Sequence, residues 1–369
     1  MDPVWLSNKQ NNSLLNSTTV QSTSYQDRLE ALDSPMRAFL ICLYSMTSML
    51  AFVGNIIVIV VEILGKRSAK NLRVFLINLA VSDILIGVFS VPFTYTDFML
   101  GRWIFPGWLC PFAQFVQILS VFVTTFTLTV IGIERYFAIL FPLSNNNQWF
   151  TSRCHIVLTL GWILGGILGH VAMKFTTTIP FRWNNQTYYD CRLEGMDYLW
   201  EQIYNTSVFI LTFAIPLLIQ SYSYASIGRK LLKDKVINNR LALRRNSGSD
   251  RDKAKIIRML IAVVIVFSIC WLPIKTFMLL LAFWPNMLEI NDKISYYTYI
   301  ASFFFCHWLA MANSFVNPII YSFMSKSFRA DFKDVLLHVW NLFVVNPSKP
   351  TKHINRISRV HTEKTIIQF

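Results

Sequence analysis

Two opposite charges stand side by side in an otherwise apolar stretch, TLTVIGIERYFAILFP, which runs from Thr127 to Pro142: Glu134 and Arg135. Two more ionisable side chains interrupt apolar runs elsewhere, Asp83 in LAVSD and Lys275 in CWLPIK. Charge inside an apolar helix is costly and is kept where it is paired or functional. The chemistry these residues offer is that of ion pairs and hydrogen bonds in a weakly polar medium, and the chain is read as a non-enzyme. The six cysteines, Cys42, Cys110, Cys154, Cys191, Cys270 and Cys306, show no CxxC spacing, which disfavours zinc.

The elements that must carry these charges follow from composition. The chain has 369 residues, 54% hydrophobic and 15% charged. Soluble domains carry about 25% charged residues. The mean hydropathy of +0.42 and the 30 phenylalanines place the surplus apolar surface against lipid. A membrane-spanning helix needs about 20 mostly apolar residues. Seven segments qualify, roughly 37–64, 72–97, 108–141, 154–175, 201–228, 256–284 and 294–323. A further stretch, SKSFRADFKDVLLHVW, places Phe328, Phe332, Val335, Leu336 and Val339 at helical spacing with charges between them. It reads as a helix on the membrane surface in preference to a solvated tail helix. The expected fold is an all-α seven-transmembrane helix bundle with an amphipathic eighth helix. Residues 1–36 form an outer N-terminal segment, 37–325 the bundle, 326–340 the surface helix and 341–369 an inner tail.

Orientation comes from lysine and arginine in short loops. Lys66, Arg67, Lys70 and Arg73 follow the first span, and ten basic residues against three aspartates lie between the fifth and sixth. The opposite loops are mildly acidic. The N-terminus is therefore expected outside and the tail inside, so the net charge of +14 is mostly cytoplasmic and needs no nucleic acid to explain it. Sequons begin at Asn11, Asn16, Asn185 and Asn205, none in an inner loop. Asn11, Asn16 and Asn185 are the expected glycosylation sites, with Asn205 too near the bilayer. The first residues, MDPVWLSNKQ, lack the design of a cleaved signal peptide, and the first apolar segment is expected to direct insertion.

About 25 residues separate Cys110 from Arg135, roughly 37 Å of helix. That crosses the bilayer and puts Glu134-Arg135 at its cytoplasmic edge. At this point the chain resembles the rhodopsin-like (class A) G-protein-coupled receptors. ERY followed by FAILFPL carries the resemblance on the third span. It extends through Gly54-Asn55, Leu79-Ala80-Val81-Ser82-Asp83, Trp103 before Cys110, Trp162, Pro216 with Tyr224, Phe267 before Cys270-Trp271-Leu272-Pro273, and Asn317-Pro318-Ile319-Ile320-Tyr321 before Phe328.

The resemblance implies roles. Arg135 is held at rest by Glu134, which requires its long side chain to curl back, because adjacent helix positions do not face each other. On activation it extends, and an outward swing of the sixth span opens a cleft for the G protein. Tyr136, Tyr224, Asn317, Pro318 and Tyr321 belong to the same machinery. Pro216, Phe267, Trp271 and Pro273 form the switch below the ligand, with Thr125 departing from the family's usual aliphatic residue. Many relatives tether the arginine with an acid that is Lys253 here. Cys110 and Cys191 are joined by a disulfide in the family. Asn55, Thr124, Asn313, Ser314 and Asn317 surround Asp83, as a hydrogen-bond network with an optional sodium ion. No other cofactor or metal is implied.

The ligand is narrowed by contrast. Amine receptors carry an aspartate where this chain has Gln117, and opsins a lysine where it has Met311. Gln117 is frequent in receptors for neuropeptide Y-like, RFamide-like and orexin-like peptides, and CHWLAMANSFVNPIIYSFMS resembles the tachykinin and neuropeptide Y receptor groups. Asp97, Glu201, Glu289 and Asp292 could meet a basic peptide end, or serve only to solvate the loops. Lys275 either turns outward or pairs internally, or it meets an acidic or carbonyl group of the ligand beside Gln117 and His307. The resemblance implies a plasma-membrane receptor whose partners are an extracellular peptide, a heterotrimeric G protein, arrestin, receptor kinases and membrane lipids. The alternative ligand is an acidic lipid or small metabolite. A transporter would show internal repeats and matching broken helices, which the sequence lacks.

Overall fold

The computed structural model describes residues 32–240, 247–284 and 293–344. Asn11, Asn16, Glu289, Asp292 and the tail lie outside them, as does the side chain of Lys253. Among the described residues seven helices are long and apolar enough to cross a membrane: Ser34–Leu64, Lys70–Leu100, Leu109–Leu140, Ser152–Phe175, Tyr198–Lys233, Lys255–Phe283 and Ile294–Met324. Each falls on one of the seven expected segments. The third is the axis of the bundle, with 72% of its apolar window buried against 22–33% for the first, fourth and fifth. Residues such as Ile63, Leu218 and Phe323 turn outward, as a lipid-facing surface requires.

Three of the spans are interrupted, each for a local reason. The second is two helices, Lys70–Phe89 and Val91–Leu100, joined at Ser90. Pro92 has no N–H to give to the ladder there. It ends at Gly101, whose φ of 62° is the left-handed cap that glycine adopts freely. The fourth span is preceded by a bend at Arg153, with φ −119° and ψ 19°, inside the longer helix Asn145–Phe175. The fifth contains a wide π turn at Ile210–Ala214, directly before Pro216, whose missing N–H frees a carbonyl one turn back.

Taken as an outer loop from its sequence, the segment after the fourth span folds into an antiparallel hairpin, β1 (Thr176–Trp183) and β2 (Gln186–Leu193). The signal was the dipeptide Asn184-Asn185, whose φ angles of 46° and 64° make the two-residue turn that suits strand twist.

The surface helix runs Lys326–Val344, a turn longer than expected. Ser325 Oγ accepts from the Phe328 N–H at 3.1 Å, capping its start. Phe328 packs under Tyr321, with ring centroids 6.3 Å apart, while Leu336, Leu337 and Trp340 are exposed on the apolar side. Asp331 is buried and accepts from both the Arg67 backbone N–H (3.1 Å) and its guanidinium (2.8 Å). Asp334 takes the same guanidinium at 2.7 Å, so the first inner loop clamps the helix in place.

Inside the bundle, polar side chains tie spans together. Trp162 Nε1 donates to Asn78 Oδ1 at 2.8 Å, and Asn78 Nδ2 donates to Thr127 Oγ1 at 2.8 Å, joining the fourth, second and third spans. Asn78→Ala leaves the Trp162 N–H without its acceptor, at a cost of about 1–3 kcal/mol. The expected outcome is a melting temperature several degrees lower for the solubilised receptor, measured by thiol-reactive dye, with a smaller loss for Trp162→Phe.

Candidate functional site

A cavity of about 240 Å³ lies between the outer halves of the second, third, fifth, sixth and seventh spans, under β2. The Cys110–Cys191 disulfide expected from the resemblance is present, with Cα atoms 5.7 Å apart, and pins β2 to the top of the third span. Trp103 N–H donates to Tyr189 O at 2.7 Å and fastens the hairpin a second time. The hairpin is therefore a fixed roof.

Four of the five ligand candidates that fall within the described residues meet in this cavity: Asp97, Gln117, Lys275 and His307. Glu201 does not. It lies in the first turn of the fifth span, one turn above the cavity residues Tyr204 and Asn205. The Lys275 side chain turns into the cavity, its Nζ 5.8 Å from the centre of the Trp271 ring, rather than outward. Asn205 also faces inward, while Asn185 stands exposed at the hairpin tip.

Sequence reasoning missed several wall residues, chiefly Phe98, Arg192, Tyr204 and Phe303. It also missed Tyr44, behind the wall. Phe98 and Phe303 stack with centroids 3.6 Å apart, and Phe303 stacks on His307 at 5.6 Å and 10°. The Tyr44 hydroxyl donates to Phe304 O at 3.2 Å and lies 3.0 Å from His307 Nδ1. Aromatic residues inside an apolar span read as packing, so only the fold distinguishes these.

Below the cavity, Trp271 packs on Phe267 with centroids 6.2 Å apart. Thr125 is buried at this level and donates to its own helix at Val121 O, 2.7 Å away, so its hydroxyl makes no demand on the cluster. Asp83 is fully buried and accepts from Asn317 Nδ2 at 2.8 Å. The other residues expected around it are arranged differently. Thr124 pairs with Ser82, at 2.8 Å, and Asn55 Nδ2 donates to Ala51 O and Ser314 O, both at 2.8 Å. Asp83 Oδ1, Asn55 Oδ1 and Ser314 Oγ are buried oxygens with no protein partner. A buried carboxylate oxygen left without a protein partner suits a water or a monovalent cation.

At the inner end, Arg135 Nε lies 2.7 Å from Glu134 Oε2, and its Nη2 donates to Glu134 Oε1 at 3.3 Å. The first contact is an ion pair by distance and poorly aligned as a hydrogen bond, as adjacent helix positions dictate. Glu134, Tyr224 and Tyr321 are all buried at this end, and Tyr136 meets Tyr222 with ring centroids 6.0 Å apart. A cavity outside, a buried polar layer in the middle and a closed ion pair inside thus lie along one bundle.

Comparison with known proteins gives this arrangement its place. Residues 54–321 match the family described as 7 transmembrane receptor (rhodopsin family), and the chain belongs to that family. It is a multi-pass plasma-membrane protein. Tachykinin-like peptides receptor 99D of Drosophila melanogaster is 30% identical over 338 residues, covering 85% of this chain and 62% of its own length. Neuropeptide receptor 22 of Caenorhabditis elegans is 30% identical, covering 85% of this chain and 74% of its own length. The RYamide receptor of Tribolium castaneum is 30% identical, covering 88% and 86%.

Glu134→Gln removes the charge that holds Arg135 folded back. Losing ~1 kcal/mol of that pairing corresponds to about fivefold in an equilibrium. The expected outcome is agonist-free G-protein activation raised by about that factor at equal surface expression, read by nucleotide exchange in membranes.

Proposed function

We propose that this chain is a receptor for an extracellular neuropeptide that activates a heterotrimeric G protein. The observation that carries the reading is the roofed cavity. It combines an aromatic wall, one carboxylate at Asp97, the Lys275 ammonium, the Arg192 guanidinium and several neutral hydrogen-bonding groups. Such a mixture suits the alternating apolar and polar groups of a peptide end. The names of the relatives, receptors for tachykinin-like peptides and RYamides, support the same ligand class.

The mechanism follows from the layers. A ligand that contacts Trp271 differently in two states of the bundle shifts the population between them. Pro273 breaks the hydrogen-bond ladder of the sixth span, so a small displacement at Trp271 becomes a larger one at its inner end. Arg135 is then released from Glu134 toward the G protein. The Asp83 layer takes part as a hydrogen-bond network, in which the Asp83 carboxylate would hold an optional sodium ion by supplying the charge it needs. Arrestin and receptor kinases complete the set of inner partners, and Asn185 carries a glycan. The acidic lipid or metabolite remains the second reading, favoured by the two cationic side chains in the wall, Lys275 and Arg192.

The test is calcium release in cells expressing the chain with a promiscuous G-protein α subunit, challenged with RYamide-type and tachykinin-type peptides. A saturable response is expected, and Arg135→Ala should abolish it at unchanged surface expression. Silence across both peptide classes with the receptor at the surface would overturn the peptide reading. For the polar layer, NaCl in place of KCl should lower agonist affinity in the wild type and leave Asp83→Asn unaffected.

A further inference from the structure

Lys275 is a half-buried cation in the cavity wall, one turn on from Trp271. Its one contact among the described residues is with the Trp271 ring, whose centroid lies 5.8 Å from Nζ. No carboxylate pairs with it among the described residues. The Tyr204 hydroxyl and His307 Nε2 are sealed within the protein, whereas Lys275 Nζ opens to the cavity. The other charges of the wall belong to the roof. Arg192 has the Asp190 carboxylate 4.0 Å away, and both stand on β2. Asp97 is three residues from Leu100, about 4.5 Å from the outer end of its helix, and takes a backbone hydrogen bond from Cys191. Lys275 is eight residues from Phe283, about 12 Å from the outer end of the sixth span. The cavity is therefore cationic at its floor, with its acids gathered under the roof.

We infer that Lys275 is a carboxylate-binding subsite, and that the ligand enters with a free C-terminal carboxylate at its deep end. A cation largely removed from water costs free energy until a counter-charge meets it. A neutral amide at the floor would accept a hydrogen bond and leave the charge standing. A carboxylate neutralises it, through charge-assisted bonds roughly twice as strong as neutral ones. A single ammonium also matches a monoanion better than a phosphate, which carries about two charges. The apolar wall residues Phe98, Val208, Met278 and Phe303 offer surface to the last side chain of such a ligand. A fatty acid would bring the same carboxylate. Its assignment to a peptide terminus rests on the function proposed above.

Two measurements separate the subsite from the source of its ligand. The first follows thermal unfolding of the solubilised full chain with two small probes, 3-phenylpropionate and 3-phenylpropanamide, which differ only in the end group. At equal millimolar concentration the acid should raise the melting temperature by about 2 °C and the amide by less than half as much. The effect of the acid should vanish in Lys275→Met and in Lys275→Gln, two uncharged variants of which either suffices if the other folds poorly. An acid no better than the amide, or one that stabilises the variants as well as the wild type, overturns the subsite. The second is the calcium assay with RYamide-type and tachykinin-type peptides, each made as free acid and as amide. The acid of an active peptide should be about tenfold more potent in the wild type, with the difference lost in Lys275→Met. An amide of equal or greater potency, or a preference for acid that persists in Lys275→Met, overturns the C-terminal assignment. If neither peptide class activates the wild type in either form, the peptide reading fails, and the melting curves still decide the subsite.

Discussion

The hydrocarbon core of a bilayer offers no hydrogen bonds, and every polar group placed there must be satisfied inside the bundle. Asn78 serves Trp162 and Thr127, so that one side chain ties three spans. Gln220 donates to Thr129 at 2.9 Å and joins the fifth span to the third. Trp308 donates to Thr47 at 3.1 Å and joins the seventh to the first. Such ties specify the relative rotation of smooth apolar helices, whose packing alone discriminates poorly between faces. They also create the polar layer at Asp83. A network that must satisfy itself without water is bistable when its members can exchange partners, and several oxygens in this layer have no protein partner in the arrangement described.

The same constraint separates what the sequence discloses from what it hides. Spans are legible because transfer into lipid depends on composition over about 20 residues, and no tertiary contact is needed to read it. The Glu134-Arg135 pair is legible because both partners are adjacent in the chain. Asp83 was recognisable as a buried carboxylate, while the partner each residue of its layer bonds to was not. Thr124 belongs to Ser82, a choice set by the rotation of the third span against the second and invisible in either segment alone. Tyr44 was missed because a tyrosine within an apolar run is unremarkable until the fold brings it beside a residue 263 positions away. The hairpin was missed for a different reason. Its strands are short and lie between long apolar helices, and only the Asn184-Asn185 turn marks it.

Charge does a second kind of work at the inner surface. Arg67 lies in a loop of only a few residues, which restricts where its guanidinium can reach. Asp331 and Asp334 are three positions apart on the surface helix and therefore share a face. Their joint grip on Arg67 sets the direction of that helix, while the exposed Leu336, Leu337 and Trp340 give it a side for the bilayer. The close approach extends to the backbone: a Cβ on Gly65 would lie 2.5 Å from an Asp331 carboxylate oxygen. Only a residue without a side chain lets the first loop and the surface helix come this near.

The π turn at Ile210–Ala214 makes the fifth span a helix with a phase jump. One residue more than a regular helix needs is absorbed within a single turn, rotating everything on its outer side by about 100° relative to the inner side. The outer half presents Tyr204, Asn205, Val208 and Phe209 to the cavity, and the inner half presents Gln220 and Tyr224 to the third span. Neither half could hold its facing if the other were simply continued. The span thus keeps two independent rotational settings in one continuous rod, and the side chains that face the outside world can be re-aimed by gaining or losing one residue without disturbing those that face the cell.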